Sequence, residues 1–299
     1  MRSASPIAIA ISDLHLSLSR PSCRADEDWM EVQAHYLRQV KEAADGLPIL
    51  CAGDIFDRWN PPPELIYFAL ENLPDGMVCV PGQHDLPLHR IDLMHRSGYG
   101  VLKRAGKIRD CSGRVLSNGN LMIRGFGWDQ PLEPSLDSTK VTIALIHRYC
   151  WIPKYSFPGA PEENRADQLG RLLKGYQVAL FGDNHHGFKT TLSTGTHVLN
   201  LGGFIRRKTD EMDYTPSYGV IFEDGTVERV PLDTSTDQFV AIPRSTPTMT
   251  LDLKSFIKDL SSLAAHTYDF QEIVTTHLKK TKVHPATKEI ILESLGLKQ

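Results

Sequence analysis

The chain has 299 residues, 41% of them hydrophobic and 23% charged, with a formal net charge of −3. No apolar run is long enough to cross a bilayer, the short polar lead into the first strand does not read as an export signal, and the charge gives no general pull toward nucleic acid. Five scattered cysteines, Cys23, Cys51, Cys79, Cys111 and Cys150, show no Cys-x-x-Cys spacing, which argues against a disulfide framework or structural zinc and predicts reduced thiols in a cytoplasmic setting.

Residues 7–11 are a short apolar run that ends in Ser12-Asp13-Leu14-His15, and they predict a buried strand. Trp29, Val32, Tyr36, Leu37 and Val40 make a helical stripe over 26–44. A second strand is predicted over 48–51, ending in Gly53-Asp54-Ile55-Phe56-Asp57-Arg58, and Pro61-Pro62-Pro63 suits the start of a helix over 64–73. Residues 77–80 form a third strand, followed by Gly82-Gln83-His84-Asp85. The run 141–146 leads to His147, and 178–181 leads to Gly182-Asp183-Asn184-His185, with a helix expected over 164–174 between them. Alternating runs at 120–126, 196–201, 218–222 and 227–231 read as further strands. Pro243, Ser245, Thr246, Pro247 and Thr248 then break the pattern, which places the end of a first domain, 1–242. Residues 251–299 are rich in Leu, Lys and Glu, with helical stripes over 251–265, 270–278 and 287–295. They predict a small helical C-terminal module with too little core to stand alone.

Five of these apolar runs end in carboxylates or histidines. In α/β sheets the loops beyond the carboxyl ends of the strands converge, so residues far apart in sequence meet around one ligand. Residues i and i+2 of an extended chain leave on the same side, which lets Asp13 with His15, and Asp183 with His185, each grip one ion. Asp54 offers a carboxylate able to bridge two. Oxygen and imidazole ligands without thiolates suit Mn²⁺, Mg²⁺, Fe or Zn²⁺. A single Asp after a strand is often only a helix cap or turn former, but five such segments in one chain are not explained that way. The spacing also selects His185 over His186, which a one-residue shift turns to the opposite side. His35, His95, His197, His266, His277 and His284 have no ligand-spaced partner and read as surface or packing residues.

The set of motifs resembles the calcineurin-like metallophosphoesterase superfamily, whose pattern runs D-x-H, G-D-x-x-D, G-N-H-[DE], H, G-H-x-H. Pro81-Gly-Gln-His-Asp-Leu-Pro87 and Asn200-Leu-Gly-Gly203 look most similar to SbcD-type DNA-repair exonucleases and their bacteriophage relatives. The resemblance implies a two-sheet α/β sandwich, in which the later alternating runs supply the second, more antiparallel sheet. It also implies one ion held by Asp13, His15, Asp54 and His185, and another by Asp54, Gln83, His147 and Asp183. His84 would be the general acid to the leaving oxygen and Asp85 its orienter.

Gln83 stands where the family usually has Asn, and Asp183 where it has the first His of G-H-x-H. Both keep ligand capability. Three carboxylates facing two divalent ions leave a local charge of about +1, which favours Mn²⁺, with Mg²⁺ next, over softer ions. Asp57 stands where SbcD-type exonucleases often carry His. The neighbouring Arg58 is read either as a fork on substrate phosphate or as an internal brace.

Substrate contacts are expected from His89 and Arg90, at the head of a cationic segment that continues through Arg96, Lys103, Arg104, Lys107 and Arg109. The loop from Arg148 through Trp151 and Tyr155 interleaves cations with aromatic rings, as stacking on unpaired bases requires. Its plainer reading is a hydrophobic flap over the core. Arg206-Arg207-Lys208 is a third cationic segment or a solvated turn. These features together predict a two-metal phosphodiesterase acting on DNA as an exonuclease or single-strand endonuclease. A small-molecule phosphatase or nucleotide phosphodiesterase is the first alternative, and an assembly subunit with a decayed site the second. The C-terminal helices are expected to pack on the main domain or, through the SbcD resemblance, to dock a coiled-coil ATPase of the SbcC type. A homodimer is the other assembly considered, and no membrane partner is expected.

Overall fold

β1 (Pro6–Ile11), β2 (Ile49–Cys51) and β3 (Met77–Cys79) pair in parallel, each a short apolar run. Their side chains alternate between two layers, so Ile9 and Ile11 join one hydrophobic cluster while Ala8 and Ala10 join another. The computed structural model describes residues 4–240 apart from 120, 136–139 and 158. The expected module over 251–299 and its three helical stripes lie outside the described residues.

The first cluster sits under α1 (Trp29–Ala44), α2 (Pro63–Asn72) and α3 (Gly98–Arg104). α1 starts at Trp29 rather than near residue 26 because Asp28 caps it, accepting from the amides of Met30 and Glu31. Asp26 is committed elsewhere. It pairs with Arg24, whose wholly buried side chain also grips Asp237 and lies against the rings of Trp29 and Phe239. Arg206 and the Tyr36 hydroxyl donate to the same Asp237 carboxylate. This knot ties the loop before α1 to the far end of the described chain.

The first sheet continues to β4 (Ile108–Asp110) on one side and, on the other, to β11 (Ser217–Phe222) and β12 (Val227–Pro231), in the order β12-β11-β1-β2-β3-β4. The second sheet comprises β5 (Val115–Asn118), β6 (Leu121–Phe126), β7 (Val141–His147), β8 (Val178–Gly182), β9 (Phe188–Thr191) and β10 (His197–Asn200), in the order β5-β6-β7-β8-β10-β9. Leu50, Val78, Ile143, Leu145, Leu180 and Leu199 pack between the two sheets. The result is the expected two-sheet α/β sandwich.

Three expectations are corrected. The runs at 218–222 and 227–231 do not join the second sheet: β11 pairs antiparallel with β1 in the first. The second sheet is not the more antiparallel one either, since β6, β7, β8 and β10 run parallel and only the edge pairs are antiparallel. Alternation reports a half-buried strand but not which edge it joins. The helix expected over 164–174 is instead two 3₁₀ turns, Glu162–Asn164 and Gln168–Arg171, with Gly170 inside the second. They still bury Leu169 and Leu173 on the outer face of the second sheet. None of the described helices is long and apolar enough to cross a membrane.

Candidate metal centre

The polar segments beyond β1, β2, β3, β7 and β8 gather at one end of the seam between the sheets. Asp13 and His15 are not on an extended chain. Both have positive φ, 51° and 44°, as do Asp54 at 53° and Asp183 at 80°. Left-handed backbone is uncommon outside glycine and costs energy, and its concentration on four candidate ligands marks a site whose geometry the surroundings enforce. Sequence spacing thus paired Asp13 with His15 by an argument that the backbone does not follow; the kinks, not the alternation, turn both side chains inward. The amides of Asp13 and His15 donate to the carbonyls of Gly53 and Asp54, locking the first two loops together. Glycine is required twice where these loops touch: a Cβ on Gly53 would meet His147 at 2.3 Å, and one on Gly82 would meet the Asp54 carboxylate at 2.0 Å.

Ligand atoms of Asp13, His15 and His185 lie within 4.8 Å of one another, as do those of Asp13, Asp54 and His147, and those of His15, Asp54 and His84. Gln83 bridges the remaining pieces. Its amide oxygen faces His147 Nε2 at 2.7 Å and its amide nitrogen donates to Asp183 Oδ1 at 2.6 Å. Asp54 is therefore central, and Asp13 reaches the His147 group as well as the His185 group. His186 points elsewhere and stacks on Tyr155 at 5.8 Å.

The hydrogen bonds show that these residues fit cations. His147 donates its Nδ1 proton to the Ala52 carbonyl, which leaves the Nε2 lone pair facing Gln83 Oε1 and, at 3.5 Å, Asp54 Oδ2. His185 commits Nδ1 to Glu211 at 3.3 Å, so its Nε2 faces His15 Nε2 at 3.2 Å. His147 Nε2 and Gln83 Oε1 set acceptor against acceptor, a conflict that a proton or a metal ion relieves, and His185 Nε2 presents a lone pair to the His15 ring. Asp54 Oδ2 and His15 Nδ1 are buried with no hydrogen-bond partner, and an orphaned buried carboxylate oxygen is costly unless something positive meets it.

Electrostatics tell the same story. Burial opposes charge on Asp54, yet the imidazoles of His147 and His15 hold its carboxyl well below the usual range. Burial likewise opposes charge on His147, yet Asp54 raises its pKa well above the usual value. Burial pushes Asp13 up to about 6, against His185 and His147, and drives His15 well below its ordinary value. A potential that draws a proton onto His147 also draws a divalent cation.

His84 sits at the rim, exposed, with its ring 4.8 Å from that of His15. Its amide donates to Asp54 Oδ1, and its Nδ1 donates to the Asp57 carbonyl at 2.7 Å. A carbonyl only accepts, so Nε2 is the atom left to exchange a proton. Asp85 is not its orienter. The buried Asp85 carboxylate accepts from the amides of Ile55, Phe56 and Gly82, fastening the third loop to the second.

Several expected substrate contacts also change. Trp151 is buried, donates to the Pro161 carbonyl and carries the Arg165 guanidinium over its ring. Tyr155 is sandwiched against His186 and Phe188. Both rings are already engaged, which favours the hydrophobic flap. Arg148 donates to Asn164 while lining a pocket of about 410 Å³ with Trp128, His147 and Asp183. Arg90 is exposed and turned onto Asp92, and Lys103 and Lys107 pair with Asp110 and Asp75, so half of the cationic segment is compensated locally. Arg58 and His89 line a second pocket, of about 430 Å³, beside His84. The brace across Asp57 comes from Arg207, not Arg58.

Glu211 is the residue that sequence reasoning missed, and Arg207, read there only as part of a cationic segment or solvated turn, joins the site. Both line a third pocket, of about 180 Å³, with Asp13, His15, Asp57, His84 and His185. Glu211 faces His185 and accepts from the amides of Arg207 and Lys208; burial opposes its charge, but His185 and those amides bring it down to about 2. A carboxylate behind a ligating histidine fixes its tautomer and basicity. Glu211→Gln is expected to weaken metal binding about 10- to 100-fold without unfolding the protein, read by titrating Mn²⁺ into metal-stripped protein. Unchanged affinity would mean that His185 is held by its backbone alone.

A profile of the family described as calcineurin-like phosphoesterase matches residues 8–187. No curated protein matches the chain. Solved structures similar to it include protein TT1561 of Thermus thermophilus, with TM-score 0.46 and 12% identity over 77% of this chain and 99% of that one. Another is a metallophosphoesterase from Sphaerobacter thermophilus, with TM-score 0.39 and 16% identity over 77% and 90%. A third is a dimetal phosphatase from Danio rerio, with TM-score 0.45 and 11% identity over 73% and 94%.

Proposed function

The chain belongs to the calcineurin-like phosphoesterase family, and from that premise we propose that it is a two-metal phosphodiesterase that cuts DNA. The observation that carries the chemistry is Asp54: one oxygen is held by the His84 amide and the other, orphaned and buried, lies 3.7 Å from His15 Nε2 and 3.5 Å from His147 Nε2. That placement suits a carboxylate that would serve both ions. The proposed sets are Asp13, His15, Asp54 and His185 for one ion, and Asp54, Gln83, His147 and Asp183 for the other. Their three carboxylates favour Mn²⁺, with Mg²⁺ next. Bound there, two divalent cations make a water nucleophilic at neutral pH and neutralise charge developing on the phosphoryl oxygens.

The chain's own residues do the rest. A water oxygen bonds to phosphorus and gives up a proton to solvent, the bond from phosphorus to the sugar oxygen breaks, and the electron pair leaves with that oxygen. Protonated His84 supplies a proton from Nε2, while the Asp57 carbonyl keeps the ring turned to the pocket. Arg207, fixed by Asp57, presents cationic charge in the same pocket. A DNA substrate is supported by the pockets on either side of the centre, one rimmed by Arg58 and the other by Arg148, which suit a chain passing across it. An SbcC-type ATPase docking on residues 251–299 remains part of the proposal.

Metal-stripped protein reloaded with Mn²⁺ is expected to cleave labelled single- or double-stranded DNA, with cleavage falling steeply as salt rises. His84→Ala is expected to lose about 10²- to 10⁴-fold in kcat at unchanged metal content. Hydrolysis of nucleotides or nitrophenyl phosphates that is indifferent to salt, with intact DNA, would overturn the DNA reading and leave a small-molecule phosphoesterase.

A further inference from the structure

The pocket beside His84 has features that the hydrolytic step does not use. It is lined by Asp57, Arg58, Trp59, Asn60, Gln83, His84, and by Leu86, Leu88 and His89. Asp57, Gln83 and His84 belong to the metal centre or its rim, so this recess is continuous with the place where phosphorus would sit. Its outer wall is apolar and exposed. Leu88 is 80% exposed and Trp59 37%, whereas Trp29 and Trp151 are buried and Trp128 is half-buried.

Leu88 is held in an uncomfortable way. It has φ 52° and ψ 26°, and His89 follows at φ 56°, two successive left-handed residues with neither a glycine nor an asparagine between them. Solvation opposes an exposed leucine and sterics oppose this backbone, so the fold gains nothing from presenting that side chain. A ligand would. The recess, about 430 Å³, lies within the range of roughly 300–1,000 Å³ typical of small-molecule sites.

We propose that the recess between Trp59 and Leu88 seats the base of the nucleoside whose sugar oxygen departs. This rests on the DNA reading above. The side is fixed by His84: its Nε2 must face the departing oxygen, so whatever that oxygen carries lies on the His84 side, in this recess and not in the one lined by Trp128 and Asp183. The chemistry is fixed by the lining. An indole and an exposed leucine side chain offer apolar surface to a planar ring, the Asn60 amide and His89 offer hydrogen bonds to its edge, and Arg58 meets the adjacent backbone phosphate. An alkyl group has no use for the polar edge, and a bare phosphate none for the indole.

The test uses the full-length Mn²⁺-loaded protein and three dinucleoside monophosphates: one with both bases, and two in which an abasic sugar replaces one nucleoside or the other. The readout is the ratio of kcat/KM between the base-bearing substrate and the one lacking the leaving-side base. In the parent protein this ratio is expected to be about tenfold or more, the usual worth of one stacked base. Trp59→Ala is expected to collapse it toward one, Leu88→Ala to lower it, and Trp59→Phe to keep most of it. Removing the other base is expected to leave no such dependence on Trp59. Cleavage with a ratio indifferent to Trp59 and Leu88 overturns the inference alone. Hydrolysis of bis(4-nitrophenyl) phosphate with no cleavage of any dinucleotide overturns the DNA reading and the inference with it.

Discussion

Asp54→Asn is expected to lower kcat/KM by at least about a thousandfold, even at saturating Mn²⁺, because the proposed bridging group would supply charge to both ions at once and transition-state stabilisation of several kcal/mol would depend on both. The substitution is nearly isosteric. Oδ1 still accepts from the His84 amide, so the rim of the site keeps its shape. What changes is Oδ2, the orphaned atom that His15 and His147 face. As an amide nitrogen it turns a donor toward the ions and removes the negative charge that raises His147. Metal content measured alongside the kinetics separates two versions of the result: loss of one ion, or retention of both without turnover. Activity within tenfold of the parent at full metal occupancy would remove Asp54 from the bridging position.

Arg24→Met is expected to be the most damaging substitution away from the centre, destabilising the protein by about 3–5 kcal/mol, since breaking a buried ion pair strands the charges left behind. Arg24 is wholly buried and forks onto Asp26 and Asp237, while its face covers Trp29 and Phe239. Methionine replaces the aliphatic stem and keeps some packing, but Asp26 is left with only the Gln238 amide and Asp237 with Arg206 and Tyr36. Arg24→Lys should recover only part of the loss, because an ammonium cannot span both carboxylates in one plane. The pH dependence has a definite sign. Burial works to raise the Asp26 pKa, but the Arg24 bonds and the Gln238 amide leave it below the ordinary carboxylate value. Its contribution is therefore fully present above that ordinary value and is lost as pH falls through the depressed one. The gap in melting temperature between parent and variant should be wide near neutrality and narrow in acid. A constant gap would assign the loss to packing alone.

Much of this was legible in the sequence because the chemistry lies where apolar runs stop. The ends of β1, β2, β3, β7 and β8 are readable from hydrophobicity, and Asp, His and Gln at those ends are readable as ligands. The illegible parts have physical reasons. Backbone handedness at Asp13, His15 and Asp54 leaves no mark on residue spacing, so pairing by alternation reached the right residues by the wrong geometry. Glu211 sits 26 positions beyond His185, in a 3₁₀ turn with no motif, and meets it only because the chain folds back after β10. Trp151 and Tyr155 looked available because a sequence shows that an aromatic ring is present, not that Arg165 or Phe188 already covers it.

The place of β1 has a consequence for how the protein is made. It lies between β2, about 40 residues away, and β11, about 210 residues away, and pairs with both. Until the segment 217–222 has been synthesised and returned, β1 is an unprotected sheet edge whose next loop carries Asp13 and His15. Folding of the domain must therefore wait for almost all of its chain, and a pairing so distant makes a slow folder. A nascent or truncated chain that ends before β11 would carry all eight proposed metal-centre and acid residues without the strand that finishes their scaffold. Competence should then arrive late and abruptly during synthesis, with no partly active fragments along the way.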